Sequence, residues 1–369
     1  MMGSLIRVNQ ELNRAMNPLE HQLTYPLGDK LPAAGHSIEL APGVHWIRMP
    51  LPFALDHINL WLLRDRIDGR DGWTIVDCGI SRDEVKELWE QIFANVLGEL
   101  PVLRVIVTHM HPDHIGLAYW LCERFKVPLW ISMTDYMTAK FWCSGGQGSA
   151  AGGDGAVAHF RSQGMRDVES LEKIRARANY YTGMVPLVPE TFVRLQDGYQ
   201  IPIGTEGEVW EIISGFGHAP EHLSLFCPSK KVLISGDMVL PRISTNVSVI
   251  HQEPLGNPLP LYLDSLKKYR RLPKDTLVLP SHGKPFTGLH ERIEQQHSHH
   301  QERLDEVLAA CIEPMSTTDI VPVMFKRSLD LHQMTFAMGE ALAHLHALYF
   351  AGKLSRHVAP DGLIRFQRT

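Results

Sequence analysis

The sequence predicts an α/β protein in which two β-sheets pack face to face, followed by a mostly helical tail. Three observations carry this. Short apolar runs bounded by turn residues occur in two blocks, one before and one after Thr191. Amphipathic segments at helical spacing lie between them, and beyond Leu289 the pattern turns helical. At 369 residues the chain is long enough for one large domain with an appendage, or for two domains.

The elements follow in order. GVHWIRMP, INLWLLRD and GWTIVDCG read as successive strands of an antiparallel meander. SRDEVKELWEQIFANVL carries apolar residues at helical spacing, with Ser81 placed as its N-cap. LRVIVTH is the next strand and IGLAYWLCERF the next helix. The glycine density of CSGGQGSAAGGDGAVA, 143 to 158, argues against regular structure, and VESLEKIRARANYY after it is helical. Residues 143 to about 190 therefore read as an insertion that either covers a site or is a solvated excursion. Strands resume with FVRLQDG, YQIPIG, EVWEIISG, LSLFCPS, KKVLISGDMV and TLVLPSHG. In the tail, HERIEQQHSHHQERLDEVLAAC is a long polar helix, TFAMGEALAHLHALYFAGKLSR is helical, and GLIRFQ is a short strand. The expected division is a catalytic unit over 1–290 and a small winged-helix-like module over 291–369.

Composition narrows the function classes. Hydrophobic residues make up 44% and charged ones 21%, the balance of a soluble globular protein. A formal charge of −5 gives no global positive field to hold a nucleic-acid backbone. The five cysteines, Cys78, Cys122, Cys143, Cys227 and Cys311, are scattered and never in a CxxC pair, which favours reduced thiols over a disulfide framework. With no apolar signal core and no run of eighteen apolar residues, the expectation is a cytoplasmic protein that does not span a membrane.

The chemistry begins in VTHMHPDHIGLA, 107 to 118. At a strand end, residues i and i+2 point to one side, so His109 and His111 can converge on one ion. Pro112 turns the chain into a helix, letting Asp113 and His114 face a second ion beside the first. Imidazole and carboxylate together suit zinc, iron or manganese. Further ligands should then stand at later strand ends, and His218, Asp237 and His282 do so.

HxHxDH at 109 to 114, followed by GH, SGD and SHG in that order, resembles the metallo-β-lactamase superfamily over residues 40 to 290. The resemblance implies a four-layer αβ/βα sandwich with two divalent metal ions at one edge between the sheets. It implies His109, His111 and His218 on one metal, Asp113, His114 and His282 on the other, and Asp237 bridging. Asp77 matches an aspartate that supports the site from behind the ligands. Zinc is the first expectation for the metal. The implied reaction is hydrolysis by a hydroxide shared between the metals, with Asp113 orienting it and passing its proton to the leaving group.

On the substrate the resemblance divides. Aspartate at position 237 is similar to the glyoxalase II and hydroxyacylglutathione hydrolase branch, which implies an acyl thioester or related small ester. EALAHLHALYFAGKL resembles the winged helix of the LACTB2-like branch, which includes ribonucleases. Lys326, Arg327, Lys353, Arg356, Arg365 and Arg368 are then either a phosphate grip or, more simply, a solvated face. Lactone or β-lactam hydrolysis, and a di-iron redox or binding protein, are the remaining alternatives. The expected partner is a small molecule, with nucleic acid less favoured and a homo-oligomer left open.

Several other residues are candidates for substrate contact or support: His57 and Asn59 on an early strand, His222 four residues after His218, Lys284 beside His282, and Tyr180 and Tyr181 at the end of the insertion's helix. His297, His299 and His300 are expected on a solvated helix face rather than at a third metal site.

Overall fold

The structure, a computed structural model, describes residues 17–144 and 152–369. Its first sheet has the strand order β1 (Ile38–Ala41), β2 (Val44–Pro50), β3 (His57–Ile67), β4 (Arg70–Val76), β5 (Val102–Ile106), β6 (Leu129–Ser132), β7 (Phe192–Leu195). The β1 to β4 pairings are antiparallel, those of β2 to β4 as the meander predicts, and those from β4 to β7 are parallel. The second sheet runs β12 (Leu277–Pro280), β11 (Val232–Gly236), β10 (His222–Cys227), β9 (Val209–Gly215), β8 (Gln200–Pro202).

Strand β3 shows why these runs make a layered fold. Alternate residues of a strand face opposite sides, and here both sides are buried. Ile58, Leu60 and Leu62 enter the core under the helices α1 (Asp83–Asn95) and α3 (Ala118–Phe125), with Trp89, Ile92 and Leu121. Trp61 and Leu63 face the other sheet, where Trp46, Val76, Ile106, Trp210, Ile212, Leu223 and Leu225 close the space between sheets. The far face of the second sheet is covered by α7 (Pro258–Lys267), α8 (Leu289–Ala310) and α10 (Leu331–Phe350). The order helix, sheet, sheet, helix gives the four layers.

The tail comprises α8, α9 (Thr317–Met324) and α10, then a hairpin of β13 (Leu354–Val358) and β14 (Ile364–Arg368). Its core is not separate. Leu342 and Leu345 share one buried cluster with Tyr262 and Leu266 of α7 and with Phe286.

Three local expectations are corrected. The N-cap of α1 is Arg82 rather than Ser81, and no side chain caps it. Part of the glycine-rich stretch is helical: α5 (Gly153–Ser162) forms because Ala156, Val157 and Phe160 bury into the core, and that burial outweighs the cost of its glycines. Residues 145–151 of the stretch lie outside the described residues. The helix α6 (Val168–Ala176) stops before Tyr180, and a 3-10 turn, Arg177–Asn179, carries the chain to it.

Candidate metal centre

All the clustered residues stand where strands end at one edge of the two sheets. After β5 the chain reaches His109 and His111, and α2 (Pro112–Ile115), with Pro112 in its first turn, presents Asp113 and His114. His218 follows β9, Asp237 follows β11 and His282 follows β12. Two glycines permit the turns. Gly236 has φ +54°, and a Cβ there would run into the His222 imidazole; Gly217 has φ +96°, and a Cβ there would strike the backbone of Pro258.

Two groups of donor atoms result. In the first, Nε2 of His109 lies 2.8 Å from Nδ1 of His111 and 3.2 Å from Nε2 of His218. Oδ2 of Asp237 is 3.3 Å from that same His218 nitrogen. In the second, Oδ2 of Asp113 is 3.6 Å from Nε2 of His114 and 3.4 Å from Nε2 of His282. Oδ1 of Asp237 stands 3.6 Å from His114 and 3.5 Å from His282. Donors about 2.0 Å from a tetrahedral ion are about 3.3 Å apart; the separations of 3.2 to 3.6 Å are close to this, and the 2.8 Å between His109 and His111 is tighter. The two oxygens of Asp237 are divided between them.

Three of the ligand candidates, His114, His218 and His282, are held from behind. His114 Nδ1 meets Oδ2 of Asp77 at 2.8 Å, and Asp77 also accepts from the Thr108 amide and hydroxyl. His218 Nδ1 donates to the carbonyl of Asn246 at 2.7 Å, and His282 Nδ1 to the carbonyl of His57 at 2.8 Å. With Nδ1 occupied, each ring offers Nε2 to the site. The fit to cations shows in two buried atoms without a hydrogen-bond partner, Nε2 of His114 and Oδ1 of Asp237. Burial, reinforced by neighbouring imidazoles, holds His109 well below its usual range and His111 at about 3, so both are neutral as a ligand must be. Burial opposes ionisation of Asp113, yet His114 and His282 draw it down to about 2.

The other candidates fall into different places. His222 is fully buried and its Nε2 accepts from the Asp237 amide at 3.0 Å. Both nitrogens of His57 are engaged, Nδ1 on Asp56 at 2.6 Å and Nε2 accepting from the Gly283 amide at 2.9 Å. Asn59 donates to the carbonyls of Pro280 and Gly283, so an early strand of one sheet steadies the His282 loop of the other. Lys284 does not face the cluster: it donates to the carbonyl of Gly28 and to Asp29. Tyr181 is buried and donates to the carbonyl of Met110 at 2.7 Å. Tyr180 remains half-exposed.

The sequence reading missed Asp135. Fully buried, it accepts from the Met110 amide at 2.8 Å and the Glu221 amide at 2.6 Å, clamping the His109–His111 turn to the loop after His218. The available signal was Ser132 three residues earlier, a helix-start pattern that marks a cap rather than a site. The histidine-rich helix also needs correction. Among the described residues His300 is fully buried, not solvated, because α10 packs over that face of α8. His299, His300 and Glu340 form a third group whose ligand atoms lie within 4.8 Å of one another.

A family model for the metallo-beta-lactamase superfamily matches residues 54–282. The chain belongs to this superfamily. A second model, for a metallo-beta-lactamase-like C-terminal domain, matches residues 304–369, so the tail too is a recognised element of the superfamily. The crystal structure of a beta-lactamase domain protein from Burkholderia ambifaria is 54% identical, with a TM-score of 0.90 over 96% of this chain and 100% of that one. The probable metallo-hydrolase YqjP of Bacillus subtilis is 25% identical over 313 residues, 82% of this chain and 91% of that protein. A linear primary-alkylsulfatase from a Pseudomonas species is 25% identical over 62% of this chain, which spans 42% of its length. The chain is thus a metal-dependent hydrolase of the superfamily, with a His/Asp cluster able to hold its ions. No helix among the described residues is long and apolar enough to cross a membrane.

Proposed function

We propose that this superfamily member is a dinuclear hydrolase of acyl thioesters or related small esters. The observation that carries the reading is the divided carboxylate of Asp237, with one oxygen toward His218 and the other toward His114 and His282. His109, His111 and His218 would hold one divalent ion, Asp113, His114 and His282 the other, and Asp237 both, with zinc first among the metals that suit these donors. Such ions supply Lewis acidity and a water acidified towards neutrality.

The chain's own residues do the rest. Asp77, the Asn246 carbonyl and the His57 carbonyl fix three ring orientations, so the donors need no rearrangement during reaction. Asp113 has 19% of its side chain exposed, so it can accept a proton from the attacking water and return it to the leaving group. A thioester is the favoured electrophile because aspartate occupies position 237, as in the glyoxalase II-like branch. The alkylsulfatase relative makes an alkyl sulfate the competing ester. A phosphate grip by the tail is weaker, since Arg365 already pairs with Asp361 and Arg327 with Gln333.

The test is hydrolysis of acyl-glutathione and acyl-coenzyme A by the purified protein, with elemental analysis of the same sample. Turnover that falls at least about 10²-fold in Asp113→Ala, with close to two metal ions per chain, supports the reading. Inert thioesters combined with cleavage of alkyl sulfates or of single-stranded RNA would overturn it.

A further inference from the structure

Three segments far apart in sequence bring aromatic rings together beside the metal centre. Phe53, in the loop between β2 and β3, stacks on His332 at 5.7 Å between centroids. Tyr180, from the insertion, lies 6.3 Å from the same His332 ring, and Phe336, one turn along α10, lies 4.9 Å from it. The two outer members belong to segments that also brace the cluster. Phe53 is four residues before His57, whose carbonyl holds His282. Tyr180 precedes Tyr181, whose hydroxyl holds the carbonyl between His109 and His111. Burial chiefly raises the Tyr180 phenol, and Asp113 is near enough to add to that shift against Arg177. The first turn of the tail helix therefore joins these two segments.

These rings are not fully packed away. Phe336 is 47% exposed, and Phe53, Tyr180 and His332 are intermediate. Arg177 and Asp330, the residue before α10, both stand near the set: burial chiefly lowers the His332 imidazole, Arg177 adds to that and Asp330 opposes it. No carboxylate among the described residues lies within ion-pair distance of Arg177, and no described residue hydrogen-bonds the Tyr180 hydroxyl. Half-exposed aromatic faces with a guanidinium nearby that makes no ion pair among the described residues match an apolar chain that carries a negative charge.

Building on the hydrolase reading above, we propose that Phe53, Tyr180, His332, Phe336 and Arg177 form a substrate collar. It takes the apolar acyl arm of an ester or thioester, with Arg177 receiving an anionic group on that arm. The tail is then part of the binding site, and its contribution selects the substrate rather than the reaction.

The experiment compares acetyl, hexanoyl and 5-carboxypentanoyl esters of p-nitrophenol on the full chain with its metals, and on the Phe336→Ala and Arg177→Gln variants with metal content measured. Hexanoyl should be preferred to acetyl about tenfold or more in kcat/KM, and Phe336→Ala should raise KM for hexanoyl about tenfold more than for acetyl. Arg177→Gln should erase any preference for the carboxylated arm over hexanoyl. Equal losses for all three arms, or none, overturn the collar. If the unmutated protein turns over none of these esters, the thioester assay above decides the hydrolase reading separately, and binding of 6-phenylhexanoate by saturation-transfer NMR decides the collar. Binding that weakens in both variants supports it; binding that is absent, or equal in all three proteins, overturns it.

Discussion

Two histidine-rich segments of this chain, His109 to His114 and His297 to His300, have similar composition and opposite outcomes. The first follows a strand and enters a one-turn helix, so its side chains converge; Asp237 from another strand meets His114 at 3.6 Å, and His282 from a third meets Asp113 at 3.4 Å. The second lies within the long helix α8, where successive side chains point about 100° apart. His300 turns into the core, with Nδ1 3.2 Å from His344 Nε2, while His299 is only partly buried. The buried carboxyl grouped with His299 and His300, Glu340, receives no hydrogen bond from a described residue. Convergent backbone and shared carboxylates distinguish the first cluster; the number of histidines does not.

The comparison is broken most severely at Asp237. Asp237→Ala removes the one residue common to both donor groups and should lower activity by about 10³-fold or more, with both metals depleted together in elemental analysis. Loss of only one metal per chain would show that the two groups are independent. Asp77→Asn should act less strongly. The amide keeps its size but no longer offers a carboxylate to His114 Nδ1, so metal affinity in the second group should fall about 10- to 100-fold. Competition with a chromophoric chelator measures it, and unchanged affinity would show that His114 keeps its orientation without Asp77.

The sequence made the candidate donor set legible because most of its members sit at or just past a strand end beside a glycine, a proline or another candidate, where local pattern and chemistry coincide. The sheet pairing was also legible in the meander from β2 to β4, where apolar runs and turns alternate. Contacts made across the chain were not. Asp135 looks like a helix-start residue, and its role appears only when the Met110 and Glu221 amides arrive from two other loops. Lys284 stands two residues from His282, yet Asp29 draws it away. The burial of His300 was illegible for the same reason: the helix that covers it, α10, begins thirty-one residues later.

The second histidine segment supplies the smallest effect and the sharpest contrast. Glu340 is 8% exposed, and burial pushes its carboxyl up to about 7, with Arg303 opposing only in part. A carboxyl whose folded pKa exceeds its unfolded value of about 4.5 contributes its full stability below that value. The contribution is lost as pH rises through 7, because ionisation in the buried site is costly. Glu340→Gln keeps the shape of the neutral acid and cannot ionise. The variant should exceed the unmutated protein by about 1 kcal/mol or less at pH 5 and by about 3 kcal/mol at pH 8. Denaturation at pH 5, 6, 7 and 8 gives the curve. A cation held among His299, His300 and Glu340 would reverse the sign: the carboxylate would be stabilised as a ligand, and Glu340→Gln would lose stability at pH 8. A gain there means that buried imidazoles and a carboxyl, without the convergence found at His109 to His114, form a neutral helix contact rather than a third metal centre.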